Sequence, residues 1–152
     1  MTVLLTKEVR AFLGREVTYH APEAFSGAEF RYFALAIGDD NPRWHTGEAP
    51  PTFVCESSQY LDDREMLFKG GHQWEIPVKN VRAIRGGHEY EFFRPVRAGD
   101  RLSVTWRVVD LVQKESSGGA AMLIVTSEAS YADQSGELVA RNRETTIYQE
   151  LR

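Results

Sequence analysis

Cysteine is nearly missing from this sequence. Cys55 stands alone in a chain of 152 residues, which excludes an intrachain disulfide and points to a reducing compartment, the cytoplasm. Long apolar runs are missing too. The N-terminal stretch "MTVLLTKEVRAFLG" has three apolar residues in a row before Lys7, too few for a secretory leader. Nothing downstream approaches the roughly 20 residues of a membrane span, so no membrane insertion is expected. There is no surplus of positive charge: 18 Lys and Arg against 22 Asp and Glu leave a formal net charge of −4, with no basic run. A nucleic-acid partner is not expected of such a surface. The four histidines, His20, His45, His72 and His88, show no metal-ligand spacing with one another or with Cys55, so neither a metal nor another cofactor is expected. Repeats, low-complexity segments and linkers are absent as well, and one domain over residues 1–152 is the simplest organisation.

What the sequence does contain is helix and loop first, then sheet. "REVTYHAP" alternates enough for a short strand closed by Pro22. Phe30, Phe33, Ala34 and Ile37 fall at i, i+3, i+4 and i+7, one apolar stripe of a short helix. Ser26 and Glu29 make a capping box for it, Gly38 is its stop, and Pro42 prevents continuation. "APPTFVCESSQYLDDREMLF" reads as a second, longer helix entered through two prolines, with Phe53, Ser57, Tyr60 and Leu61 as its inward stripe. From "GHEYEFFRPV" onward the period is two. His88, Tyr90 and Phe92 share one face; Leu102, Val104, Trp106 and Val108 share another; "AAMLIVTSEASYAD" and "GELVARNRETTIYQE" complete the set. "RPVRAGD", "ESSGG" and "ADQSG" are turns. Three long strands joined by tight turns make an antiparallel meander, whose apolar face needs the long helix as its cover. The expected class is α+β, with a long central helix wrapped by a curved antiparallel sheet. An exposed sheet edge predicts a partner subunit.

Within this frame, "AIGDDNPRWH" (Ala36 to His45) concentrates two carboxylates, an Asn-Pro turn and a histidine. The simplest account is a helix running into an Asp-rich turn with solvated side chains. Three segments together say more: "FALAIGDDNPRWH" followed closely by "APPTF", then "HEYEFFRPVRAGDRL", then "DQSGELVARNRETTIY". In order and spacing, over about four fifths of the chain, they resemble the MaoC-like branch of the hot-dog fold, the (R)-specific enoyl-thioester hydratases and 3-hydroxyacyl-thioester dehydratases. The resemblance implies an acyl-CoA or acyl-carrier-protein substrate. It implies a dimer, either a homodimer or a heterodimer with a second MaoC-like subunit. It also implies a catalytic aspartate at Asp39 and a catalytic histidine at His45, with Asn41 between them. Those residue types suit the chemistry. Adding water across an enoyl thioester needs one group to activate the water and another to handle the α-proton. A backbone N–H at a helix start polarises the carbonyl, and Thr52 and Phe53 stand where such N–H groups would be free.

The sequence departs from that pattern in two places. Arg43 and Trp44 both separate Pro42 from His45 where relatives have one residue, and Ala49-Pro50-Pro51-Thr52 replaces a His-Gly pair. Both features resemble the N-terminal-half type, the FAS1-like dehydratase domain, in which a partner commonly carries the active pair and this half shapes the acyl channel. Only "TGEA" lies between His45 and Pro50, a shorter segment than in relatives. Other classes remain open: a hot-dog thioesterase, for which Glu56 is better placed than Asp62 or Asp63, and an acyl-binding module without chemistry. Arg94, Arg97 and Arg101 cluster around one turn, either as solvated charges or, for Arg94 and Arg97 above all, as contacts for the phosphates of the substrate's arm. His88 reads as a core or interface histidine and Cys55 as a small buried filler.

Overall fold

A computed structural model describes residues 2–55 and 74–151. Five antiparallel strands form one sheet: β1 (Glu16–His20), β2 (Val81–Phe92), β3 (Ser103–Glu115), β4 (Ala121–Ala132) and β5 (Leu138–Glu150), in the order β1-β3-β4-β5-β2. The expected meander is β3-β4-β5. The His88 strand, β2, lies against β5 and forms one edge, while short β1 forms the other. A four-residue helix α1 (Lys7–Arg10) precedes β1, and α2 (Gly27–Ile37) follows it. No helix among the described residues is long and apolar enough to cross a membrane.

Alternation along β4 sorts the two faces. Ala121, Leu123, Val125, Ser127, Ala129 and Tyr131 are buried, and their neighbours are half-buried. The core under this face divides into two clusters. One holds Phe25, Phe30, Phe53, Leu102, Val104, Trp106 and Tyr131; the other holds Val9, Phe12, Ile76, Val108, Leu123 and Val125. Trp74 packs against both, and its indole N–H donates to Ser127 Oγ at 2.8 Å between them.

Two β-bulges fall on this same line. The β3–β4 register slips between Val108 and Asp110, opposite Ser127 and Thr126, and the β2–β5 register slips between Arg85 and Gly87, opposite Thr146 and Thr145. Bulges bend and twist a strand, so the sheet curves about the row that runs through Ser127 and Glu144. Gly86 is required there, because a Cβ would lie 3.0 Å from Thr145 Cγ2 and 3.1 Å from its carbonyl oxygen. The slip also hides the strand's true start: β2 begins at Val81, earlier than the alternation beginning near His88 suggests.

Helix α2 has the expected ends. Ser26 and Glu29 form a reciprocal capping box, and Gly38 closes the helix in the left-handed region at φ 71°. Phe30 and Ala34 are buried and Phe33 packs on the core, but Ile37 is half exposed, since it is the last helical residue before Gly38 turns the chain. Where a long helix was expected after the two prolines, the described residues form a 3-10 turn, Pro51–Cys55. Phe53 anchors it, meeting Phe25, Phe30 and Phe33 edge-on at centroid distances of 5.1, 4.8 and 5.4 Å. The rest of the expected helix, with Glu56, Asp62 and Asp63, lies outside the described residues, as do His72 and the Cys55 side chain.

Candidate functional site

The loop after α2 is built from local hydrogen bonds. The Asp39 N–H reaches back to Ala34 O at 2.9 Å, completing the helix cap. Asp39 Oδ1 then accepts from the Asn41 N–H at 3.1 Å, and Asn41 Oδ1 accepts from the Arg43 N–H at 3.1 Å. These are consecutive Asx turns, the reason this Asp-x-Asn-Pro order suits the chain reversal. The second one caps a 3-10 turn, Pro42–His45, with Pro42 at its first position. Asn41 is therefore committed to the backbone. Asp39 is half-buried and keeps Oδ2 uncommitted, while His45 is exposed at the far end of the turn. No hydrogen bond joins Asp39 to His45. Between Asp39 and His45, Trp44 is 7% exposed, and its indole N–H has no acceptor.

The short "TGEA" segment ties this loop to the turn before β3. Arg43 Nε donates to Glu48 Oε2 at 2.8 Å, and Arg97 Nε lies 3.7 Å from Glu48 Oε1. Backbone bonds run from Ala98 N to Gly47 O at 2.8 Å and from Ala49 N to Val96 O at 2.9 Å. Glu48 was not legible as a tie in the sequence, because Arg97 lies 49 positions away.

The structure separates the clustered arginines. Arg94 is enclosed: Nη1 donates to Asp100 Oδ2 at 2.7 Å and to Pro95 O at 2.9 Å, while Nη2 donates to Asp133 Oδ2 at 2.7 Å and Asp100 Oδ1 at 3.2 Å. Asp100 also accepts from the Arg97 N–H at 2.8 Å. The Asp100 hydrogen bond, above all, holds the Arg94 guanidinium still more firmly protonated than usual. Asp133 is held far below the ordinary carboxylate range, first by the Ser135 hydroxyl and then, against the cost of desolvation, by Arg94 and the Glu137 and Ser135 N–H groups. With both terminal nitrogens spent on two carboxylates and a carbonyl, and Nε 3.7 Å from Glu137 Oε2, Arg94 is a structural tie. That corrects the expectation that it meets phosphates. Arg97 keeps an open guanidinium, and Arg101 uses only Nε, on Ala21 O at 2.9 Å.

In the 3-10 turn Pro51–Cys55, the Phe53 N–H bonds Pro50 O at 2.9 Å and its ring is buried. Of the two donors expected to be free, Phe53 is thus withdrawn by the tightness of the 3-10 turn, and Thr52 alone is exposed with its N–H uncommitted.

A second group of polar residues lies on the concave face near the β2 edge. His88 pairs across the strands with Glu144, and Glu144 with Ser127; Tyr90 pairs with Asn142. Asn142 is completely buried, and its Nδ2 is 3.2 Å from His88 Nδ1. Glu144 and Asn142 were missed in the sequence, although they continue the inward phase of β5 set by Ala140, where polar residues are out of place.

Comparison with known proteins bears on the fold and the family. Over 146 residues the chain is 30% identical to a UPF0336 protein of Streptomyces coelicolor, covering 86% of this chain and 87% of that one. Among solved structures, the ChsH1-ChsH2 complex from Mycobacterium tuberculosis matches with TM-score 0.70 at 13% identity, over 95% of this chain and 92% of the other. The HadBC (3R-hydroxyacyl-ACP dehydratase) complex from the same organism matches with TM-score 0.60 at 23% identity, over 88% and 96%. These likenesses and the curved five-stranded antiparallel sheet establish the hot-dog fold that the sequence led us to expect. The family model described as "FAS1-like, dehydratase domain region" matches residues 11–142, and the chain belongs to that family.

Proposed function

We propose that this chain acts on acyl thioesters of coenzyme A or a carrier protein, as the substrate-shaping subunit of a hydro-lyase completed by a second MaoC-like subunit. The observation that carries this reading is the state of the loop. Asp39 spends one carboxylate oxygen on the Asn41 N–H, and His45 sits exposed beyond a buried Trp44 with no bond between the two. Hydration joins the oxygen of water to C3 of the enoyl thioester and a proton to C2, so base and acid must converge on one water and one carbon. In this chain no hydrogen bond links the two candidate groups. A partner that supplies the pair leaves this chain to bind the substrate. Thr52 presents its N–H to the thioester carbonyl, and Arg97 meets the phosphates of the substrate arm. The relative solved as the HadBC complex is a two-component 3R-hydroxyacyl-ACP dehydratase by its own description, which supports a two-subunit assembly here.

The test follows loss of the enoyl chromophore of a short 2-enoyl-CoA. The purified chain alone is expected to be inactive, and mixing with the MaoC-like subunit of the same cell to produce turnover that Asp39→Asn leaves largely intact. Turnover by the lone chain that Asp39→Asn abolishes establishes instead a homodimer working with Asp39 and His45. Release of free thiol without hydration identifies a thioesterase, and binding without either reaction identifies an acyl-binding module.

A further inference from the structure

We infer that the outward face of the sheet docks a second copy of this chain, back to back, through an aliphatic rank that crosses β3, β4, β5 and β2. The inference stands apart from the acyl-thioester reading. Strand register sets Val112 beside Ile124, Ile124 beside Ile147 and Ile147 beside Ile84. Ile124 lies in the outward phase of β4, between the buried Leu123 and Val125. Val112, Ile124 and Ile147 are half-buried by their sheet neighbours, and Ile84 is 38% exposed. Helices α1 and α2 send Val9 and Phe30 into the core clusters under the opposite face, so neither covers this one.

Strand propensity does not account for the rank. The next rank carries Asp110, Thr126, Thr145 and Gly87; threonine suits a strand and leaves the face polar. In the rank beyond it, Glu16, Arg107, Glu128, Arg143 and Glu89 alternate in charge across all five strands. Four β-branched aliphatic residues in line are therefore the exception on a face that is otherwise dressed for water.

The charges around the rank select the occupant and its direction. Along β3, Lys114 and Asp110 flank Val112 on opposite sides; along β2, Arg82 precedes Ile84, and Glu89 follows it beyond the bulge. Lys114 and Asp110 stand about 13 Å apart along the strand, too far to pair within one chain. Both are exposed, and neither has an ion-pair partner among the described residues; Asp110 Oδ1 accepts from the adjacent Leu111 N–H at 2.9 Å. A two-fold axis lying in the interface along the rank sets each aliphatic residue on its own counterpart and reverses the strands. Each Lys114 then faces Asp110 of the second copy, and each Arg82 approaches Glu89 of the second copy. An axis along the strands would instead set Lys114 against Arg82, which repels. The bulges at Val108 to Asp110 and at Arg85 to Gly87 bend the sheet to one side of the rank, so the arm that carries it is free to lie against its copy. Strands about 4.8 Å apart and ranks about 6.8 Å apart make three ranks cover about 400 Å² of each copy. A lasting dimer uses about 800 Å² per partner, so this contact is a weak and reversible one. Phe53 belongs to the core under the opposite face, so the turn bearing Thr52 stays open in the pair.

Sedimentation velocity of the purified full chain tests this. Between about 10 and 500 μM the mass is expected to double, with a dissociation constant on the order of 100 μM. Ile124→Thr combined with Ile147→Thr keeps β-branched side chains in the strands and should weaken the doubling at least about tenfold. Asp110→Lys, at an exposed position, should weaken it as much by setting like charges together, and adding Lys114→Asp should restore it. A mass that does not double in this range, or a doubling that survives the threonine pair, overturns the inference. A doubling that survives Asp110→Lys, or that the added Lys114→Asp fails to restore, overturns the two-fold along the rank.

Discussion

Arg94 and Arg97 belong to one turn and have opposite uses. The first reaches inward and holds Asp100 and Asp133 with three hydrogen bonds, and the Pro95 carbonyl with a fourth. The second points outward, its side chain 59% exposed, with only a 3.7 Å approach to Glu48. The loop that Glu48 anchors repeats the open pattern: Asp39 makes one bond through its carboxylate, and His45 makes none. Charge that is enclosed and fully paired fixes the joint between β3, β4 and β5. Charge that is half paired is left free to meet something else. The same turn therefore serves as hinge-pin on one side and as rim of the candidate site on the other.

The comparison is broken most severely at Arg94. Arg94→Ala leaves Asp100 and Asp133 enclosed without a cation and should remove about 3 kcal/mol of stability, read as a lowered urea midpoint at unchanged slope. Arg97→Ala should cost less than about 0.5 kcal/mol. Equal losses from the two substitutions would dissolve the distinction.

Asp133 extends the enclosed side into pH. Its carboxyl titrates lower in the folded chain than in the unfolded one, so the unfolded state binds the proton more readily. The stabilisation is complete above the ordinary carboxylate pKa near 4 and is lost as pH falls from there toward the depressed folded value. Asp133→Asn should flatten the acid limb of a melting-temperature profile below about pH 4, and a limb of unchanged steepness would assign the acid sensitivity to other groups.

How much of this was legible in the sequence depends on the range of the contacts. Ser26, Glu29 and Gly38 announced α2 because caps are read from residues three or four positions apart. The meander was legible from period-two alternation, up to the bulges at Val108 to Asp110 and Arg85 to Gly87 where the phase slips. The role of Arg94 was not legible, because Asp133 lies 39 positions away and meets it only when β4 and β5 close the joint. Phe53 was misread for a local reason. A 3-10 turn bonds i to i+3, and that uses the N–H which an α-helix would have left free. Resemblance put Asp39 and His45 on the loop after α2, yet the sequence did not foretell that Asp39 would bond the Asn41 N–H or that Trp44 would be buried while His45 is exposed.

A milder break acts on the open side, at the exit from α2. Gly38 sits at φ 71° with open space where a Cβ would be. Gly38→Ala should cost about 1 kcal/mol through backbone strain alone. The Asp39 N–H completes this cap, yet the proposed partner subunit carries the reaction, so turnover of the proposed assembly should fall no further than the lost stability explains. A larger fall would assign this loop a part in the reaction.

The smallest effect on stability is expected at Glu48, and it is the one that sharpens the comparison. Glu48 holds Arg43 at 2.8 Å and approaches Arg97 at 3.7 Å, at a surface where the Arg43 side chain is 59% exposed. Exposed pairs of this kind contribute about 0.5 kcal/mol or less and weaken with salt, so Glu48→Gln should scarcely move the urea midpoint. Its effect on substrate should be larger and opposite in sign for the two partners. Releasing Arg97 from a nearby carboxylate raises the positive potential at the rim and should tighten the binding of acyl-CoA, with a gain that fades as ionic strength rises. Releasing Arg43 loosens the turn that carries Trp44 and His45. Binding that tightens at low salt in Glu48→Gln, and fails to tighten in Glu48→Gln combined with Arg97→Ala, assigns the rim's charge to Arg97. Unchanged binding in both would make the outward arginine as structural as the inward one, and the contrast between them would reduce to burial alone.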